Sequence, residues 1–247
     1  MRSLPGAGAG TGLALLVALG LLSGPAAAAP AGARAPLDRP ALSRVAADLS
    51  PAVLSLALDA AGWARRQGIA APASVLTVID YSLPSTAPRL WVLDLERPRL
   101  LYRELVAHGA GSGDNFATRF SNTEGSRQTS LGLFLTGDTY EGGNGYSLRL
   151  RGLEPGTNDR AYERTIVVHG AWYVSEEHAL RWGRLGRSWG CPALPLARAR
   201  AVIDAIKDGS LLFAYYPDTR WLRTARYAPD APPRAASAPA ALARRRR

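Results

Sequence analysis

The sequence predicts a mainly β domain with a few helices, of the α+β class. Seven short segments rich in β-branched, leucine and aromatic residues follow one another between residues 74 and 216, most of them bounded by turns containing proline or glycine. Two amphipathic stretches with helix-start and helix-stop signals interrupt that series. The chain of 247 residues contains one cysteine, so its core must hold without internal disulfides, and it is long enough to do so.

Residues 1–29 read as a signal peptide. Arg2 gives the positive start, LALLVALGLL (13–22) is the apolar run, and SGPAAAAPAGARA supplies the small residues of a cleavage site. The run is shorter than the roughly 20 apolar residues that a membrane span needs, so no stable span is expected after processing. An uncleaved anchor is the alternative. Residues 30–71 hold a Pro-, Ala- and Arg-rich linker followed by one or two helices. Leu42, Val45, Leu49, Val53, Leu56 and Leu58 keep helical spacing, Ser50 and Pro51 mark a helical start with Ser50 as its cap, and Gly68 marks a stop.

The mainly β domain is expected over residues 72–225. The strands are SVLTVID (74–80), RLWVLDL (89–95), RLLYRELVA (99–107), SLGLFLT (130–136), YSLRLRG (146–152), RTIVVHG (164–170) and LLFAYY (211–216). ERPR (96–99) is a hairpin turn between two of them. In YSLRLRG, Leu148 and Leu150 face one way and Arg149 and Arg151 the other, which predicts a half-buried strand. SEEHALRWG (175–183) is a helix with Ser175 as cap and two glutamates at the positive end of its dipole. PLARARAVIDAIKDG (195–209) is a second one, opening at Pro195 and closing at Gly209. Residues 226–247, ending in ARRRR, have the composition of a disordered basic tail.

The formal charge of +10 suits nucleic acid, anionic surface polymers or acidic lipids and does not choose among them. No nucleic-acid motif, zinc-ligand spacing or Gly-rich phosphate loop occurs, so no nucleic acid, metal or cofactor is expected.

An exported chain meets an oxidising compartment, where cysteines usually pair. The lone Cys191, in GRSWGCPALP, is therefore inert and buried, a partner for another chain, or reactive. Reactivity needs a base or a positive environment, because a free thiol is mostly protonated at neutral pH. Three histidines are available: His108, His169 and His178. His169 closes an apolar strand and is followed by Gly170, which permits a sharp exit at the sheet rim. Cys191 precedes the helix opening at Pro195, whose positive end would lower the thiol pKa. Gly190 lets the main chain approach a substrate, and the amides around Trp189, Gly190 and Cys191 could face an oxyanion. Together these features suit a Cys–His acyl-transfer site.

VVHG (167–170) followed by GRLGRSWGCPAL (183–194) resembles the L,D-transpeptidase (YkuD-type) catalytic domain family, in which a His-Gly pair precedes a Ser-x-Gly-Cys signature. SLPSTAPRLWVLDL, VAHGAGSG, FSNTEGSRQTSLGLF and GLEPGTNDRAYERTIVVHG extend the resemblance, to a murein L,D-transpeptidase branch with Gly-Cys-Pro-Ala at the site, over roughly residues 42–216. The resemblance implies a β-rich fold, a cysteine thiolate nucleophile and the stem peptides of bacterial peptidoglycan as substrate. Cys191 is then the nucleophile and His169 the general base, with the Gly170 carbonyl fixing the imidazole tautomer. The donor peptide is cleaved after its third residue, and the acyl group passes to the side-chain amine of a second stem as a 3–3 cross-link, or to water. Pro192-Ala193 stands where many members carry an apolar residue and then Arg or Asn, so substrate contacts made by those residues do not transfer. Export together with a peptidoglycan substrate implies a periplasmic or cell-envelope location, and the basic charge, with its Arg tail, suggests anionic wall polymers as a secondary partner.

Several neighbours carry two readings. Ser188 supports the base or holds the loop by a local hydrogen bond. His108 and Arg187 bind substrate, or serve their own loops. His178 is expected at the surface, and core packing is the simplest account of Trp172, Tyr173, Trp182 and Trp189. Three other functions compete. An L,D-carboxypeptidase would use the same acyl-enzyme with water as acceptor. A non-catalytic wall-binding module would keep Cys191 as a relic. A Cys–His peptidase of another architecture is disfavoured by residue order, since papain-like enzymes place cysteine before histidine.

Overall fold

Eight strands form one sheet among the residues described, 36–69 and 74–227, in the computed structural model of the chain. They are β1 (Val75–Asp80), β2 (Leu90–Asp94), β3 (Arg99–Glu104), β4 (Gly132–Gly142), β5 (Gly145–Gly152), β6 (Val167–Ala171), β7 (Ala193–Pro195) and β8 (Leu211–Tyr215). Their order across the sheet is β3-β2-β1-β8-β4-β5-β6-β7. The β1–β8 and β6–β7 pairs are parallel and the others antiparallel. The sheet curls until its two ends meet: Ala107, just past β3, donates its N–H to the Ala193 carbonyl of β7 at 2.9 Å.

Five helices accompany the sheet among these residues. Helix α1 (Arg39–Val45) is capped by Asp38, whose carboxylate accepts the Ala41 N–H at 2.9 Å. Helix α2 (Pro51–Arg66) opens at Pro51, where the missing N–H leaves no intrahelical bond unmade. Ser50 stands at its cap position, but its hydroxyl makes no capping bond. Helix α3 (Glu176–Trp182) starts at Ser175, whose hydroxyl accepts the His178 N–H, and stops at Gly183 with φ +66°. Helix α4 (Leu196–Ile206) packs Ala199, Val202, Ile203 and Ile206 inward. A short α5 (Thr219–Leu222), not foreseen from the sequence, buries Trp221.

One core joins helices and sheet. Leu42, Val53, Ala57 and Leu58 of the helical segment belong to the same buried cluster as Leu76, Trp91, Leu133 and Phe213. The Trp91 indole N–H donates to Asp48 at 3.0 Å, between the two segments. The helices expected ahead of the β domain thus share its interior. At the other end, the buried Glu154 carboxylate accepts from Tyr227 Oη at 2.6 Å and from the Trp221 indole at 2.9 Å, so the packed chain reaches Tyr227 and overlaps the expected tail. The expected signal peptide, most of the expected linker and residues 228–247 lie outside the described residues.

Several boundaries differ from those expected. β6 begins at Val167, not residue 164, because Thr165 adopts φ +55°, a conformation that a β-branched side chain rarely accepts and that ends a turn. It also runs on through Gly170 to Ala171, so His169 sits inside the strand, paired with Ser147 on one side and Ala193 on the other. β4 continues through an irregularity between Thr136 and Thr139 to a tight turn at Gly143-Asn144. β7 was not anticipated: three residues ending in proline carry little strand signal. Its presence moves the start of α4 to Leu196, with Pro195 in the cap position. Among the described residues no helix is long and apolar enough to cross a membrane.

Candidate active site

Strand alternation sends Gly170 and His169 to opposite faces of the sheet. Gly170 lies against α4, where a Cβ would stand 2.8 Å from the Cβ of Ala199. That close approach, and not a sharp exit, is what its missing side chain serves. His169 faces the other way, into a cavity of about 760 Å³ lined also by Arg164, Thr165, Tyr173, Trp189 and Cys191. The parallel register of β6 and β7 sets Ala193 beside His169, and Cys191, two residues earlier, reaches the same cavity. Cys191 keeps 8% of its surface and His169 4%, so the pair lies at the cavity floor without being sealed off.

His169 Nδ1 lies 3.0 Å from the Gly170 carbonyl oxygen. A carbonyl can only accept, so Nδ1 carries the proton and Nε2 presents its lone pair. Burial pushes the imidazole below its ordinary pKa, and the Gly170 carbonyl partly offsets this. Burial pushes the Cys191 thiol up, opposed by the amides of Val167 and Cys191 and by the positive charge of Arg164. The resting pair is therefore thiol and neutral imidazole, with Sγ–H directed at the Thr165 carbonyl at 3.7 Å. This corrects the expectation of a thiol pKa lowered by a helix end. β7 separates Cys191 from α4, and the dipole effect fades within the first turn.

The loop carrying Cys191 is held by its own residues. Ser188 Oγ donates to the Cys191 carbonyl at 2.6 Å and accepts the Gly190 N–H at 3.1 Å. The structure therefore gives Ser188 the loop-holding position. It also takes Gly190 out of the set of amides expected to face an oxyanion. Gly190 has φ +125°, and a Cβ there would lie 2.8 Å from the Gln128 carbonyl oxygen, so that position needs glycine. Ser188 N–H donates to the His108 carbonyl at 3.0 Å, and the Ala110 N–H donates to the Ser188 carbonyl at 2.8 Å. The VAHGAGSG segment is thus a strap under the cysteine loop.

His108 does not line the cavity. It is fully buried, with Nδ1 accepting from Arg89 Nη2 at 2.7 Å and Nε2 facing the Gly113 carbonyl at 3.4 Å. Burial and the adjacent Arg89 push its pKa down to about 4, so the ring is neutral and holds the strap. Arg187 does reach the cavity, with Nη1 bound to Asp114 at 2.7 Å and to the Gly113 carbonyl at 3.1 Å. Trp189 is 73% exposed at the rim, with the Arg127 guanidinium 4.7 Å from its ring centre. Trp172 and Trp182 are also exposed, contrary to the expectation of core packing, while Tyr173 is half-buried. His178 is half-buried between two indoles.

Arg164 is the residue that sequence reasoning missed. Its Nη1 donates to the Ser121 carbonyl at 2.7 Å and Ser130 Oγ at 2.6 Å, and its Nη2 to the Gln128 carbonyl at 2.7 Å. It thereby pins the loop that packs on Gly190 while its charge acts on the thiol. An arginine at the head of an apparent strand gave no signal of this, since all of these partners are distant in sequence.

The sequence model of the L,D-transpeptidase catalytic domain matches residues 45–215. Similar solved structures include an L,D-transpeptidase from Mycobacterium smegmatis, 16% identical over 58% of this chain and 59% of that one, with a TM-score of 0.35. L,D-transpeptidase 1 from Mycobacterium tuberculosis is 15% identical over 58% of this chain and 62% of that one, with a TM-score of 0.33. The helical cell shape determining protein Pgp2 from Campylobacter jejuni is 15% identical over 59% and 48%, with a TM-score of 0.38. The chain spans less than two thirds of each of these structures. No curated protein matches it.

Proposed function

Because the chain belongs to the L,D-transpeptidase catalytic domain family, we propose that it is an exported peptidoglycan L,D-transpeptidase that works through a Cys191 acyl-enzyme in the periplasm or cell envelope. The observation that carries this reading is the shared cavity of Cys191 and His169, with the Nδ1 proton of His169 given to Gly170 and Nε2 left as the base.

His169 Nε2 takes the Sγ proton as the sulfur attacks the carbonyl carbon between the third and fourth residues of the donor stem. The negative charge that develops on oxygen falls to the Trp189 and Cys191 amides, since the Gly190 amide is bound to Ser188. The C–N bond breaks, the imidazolium proton passes to the departing amine of the terminal D-residue, and a thioester remains. An acceptor amine then attacks the thioester, His169 takes its proton, and the sulfur leaves and regains a proton. The product is a 3–3 cross-link. Arg164 stabilises the sulfur anion each time it appears. The net charge of +10 draws the protein toward anionic wall polymers.

Incubation with disaccharide-tetrapeptide tests the reading. Cross-linked dimers are expected, and Cys191→Ser should abolish them; dimers surviving that substitution would falsify the assignment. Tripeptide without dimer, even at high acceptor concentration, would identify water as the acceptor and the enzyme as an L,D-carboxypeptidase. Intact mass after carbapenem treatment should show one adduct, absent in Cys191→Ala.

A further inference from the structure

Beside the catalytic cavity lies a second one, of about 410 Å³, that shares Tyr173 and Arg187 with it. Its size is within the range of small-molecule sites. Two indoles form its aromatic surface: Trp172, on the turn after β6, and Trp182, at the end of α3, are 73% and 57% exposed. His178 stands between them, its ring centre 5.8 Å from that of Trp172 and 6.2 Å from that of Trp182. The imidazole fixes the spacing of the indoles and leaves faces of both open. Helix α3 buries no residue, so core packing gives no reason for it to carry Trp182. The two exposed indoles therefore offer aromatic surface to a small ligand.

The remaining wall is polar in a particular way. Arg187 is anchored by Asp114 at 2.7 Å, and Arg184 donates to the Leu185 carbonyl at 2.9 Å. Each guanidinium has five N–H donors, so both keep donors for a ligand. Flat aromatic faces beside fixed hydrogen-bond donors suit a pyranose ring. Its axial C–H face packs on an indole, and its hydroxyl and N-acetyl oxygens accept from arginine.

We propose that this second cavity is a saccharide subsite that holds the glycan to which the stem peptide is attached. The proposal rests on the reading of the first cavity as the stem-peptide site. The shared wall at Tyr173 and Arg187 makes the two cavities neighbours, as a sugar and its attached peptide require. The bound glycan thereby delivers the stem toward Cys191.

Two measurements on the full chain test it. In the first, glycan chains stripped of stem peptides are titrated into wild type, Trp172→Ala and Trp182→Ala, read by tryptophan fluorescence and calorimetry. Wild type should bind, and each variant about tenfold more weakly, the loss expected of one buried aromatic anchor. Melting temperature and the carbapenem adduct should be unchanged, because both indoles are exposed and lie outside the catalytic cavity. In the second, KM is compared for disaccharide-tetrapeptide and bare tetrapeptide. Trp172→Ala should raise KM about tenfold for the sugared substrate alone, with kcat on the bare peptide unchanged. Absence of glycan binding by wild type, or equal binding by all three proteins, overturns the subsite. Cross-linking that proceeds equally well with and without the sugar does so too, while leaving the transpeptidase reading intact. Glycan binding without any acylation of Cys191 would sustain the subsite and sink the catalytic reading instead.

Discussion

Ser188 Oγ donates to the carbonyl of Cys191, three residues on, at 2.6 Å, while accepting the N–H of Gly190 at 3.1 Å. One hydroxyl thus closes the turn that presents the sulfur, and removing it leaves a buried donor and a buried acceptor unpaired. Ser188→Ala should destabilise the fold by about 1–3 kcal/mol and slow carbapenem acylation of Cys191 at least tenfold. Ser188→Thr, which restores the hydroxyl, should recover part of both. Urea denaturation and time-resolved intact mass are the measurements; unchanged acylation in Ser188→Ala would rule the turn out as the device that positions the thiol.

Gly190 admits no side chain. Gly190→Ala would need φ +125° and would set a Cβ 2.8 Å from the Gln128 carbonyl and 2.9 Å from Ile166 Cδ1. The loop must move, so acylation should fall more than a hundredfold while Cys191 still reacts with a small reagent such as iodoacetamide. A variant that acylates normally contradicts the close approach.

Arg164 opposes the effect of burial on the thiol. Removing its charge lets burial act unopposed by it, so the thiol pKa rises further and the thiolate fraction at any lower pH shrinks. Iodoacetamide alkylation of wild type should rise with pH to a midpoint above that of an ordinary cysteine. Arg164→Gln should move that midpoint upward and Arg164→Lys much less. A midpoint that stays put in Arg164→Gln, or moves down, refutes the electrostatic role.

His108 makes folding sensitive to acid. Its pKa falls from the ordinary 6.5 to about 4, so below pH 6.5 the unfolded chain binds a proton that the folded chain refuses. This contribution is fully present above pH 6.5 and is lost as pH falls toward 4, with an upper limit of about 3 kcal/mol. His108→Gln keeps an acceptor for Arg89 and a donor for Gly113 but does not titrate. Urea melts between pH 7 and 4 should show a shallower decline for that variant. Parallel curves would assign the acid sensitivity to other groups.

The readings that depended on local pattern match the structure closely. Alternation in YSLRLRG gives a strand with Leu148 and Leu150 buried and Arg151 exposed. Ser175 caps α3 through the His178 amide, and ERPR turns β2 into β3. β6 was misjudged at both ends for a physical reason. Thr165 is held at a positive φ, which composition does not reveal, and the strand pairs onward through Gly170 because β7 lies beside it. A strand as short as β7 exists only because its neighbour does.

By itself the sequence determined the α+β class and the order of most elements, and it singled out Cys191 and His169 as candidate groups, because each is written in residues close together along the chain. Tertiary structure decided what those groups are at rest, since burial and charge come from atoms far apart in sequence. Arg164 reaches the thiol's surroundings through Ser121, Gln128 and Ser130, and His108 is kept neutral by burial and by Arg89. It also decided that Trp172 and Trp182 face solvent. Hydrophobicity predicts that an indole prefers to be covered, but only the packing of the whole chain determines whether anything is there to cover it.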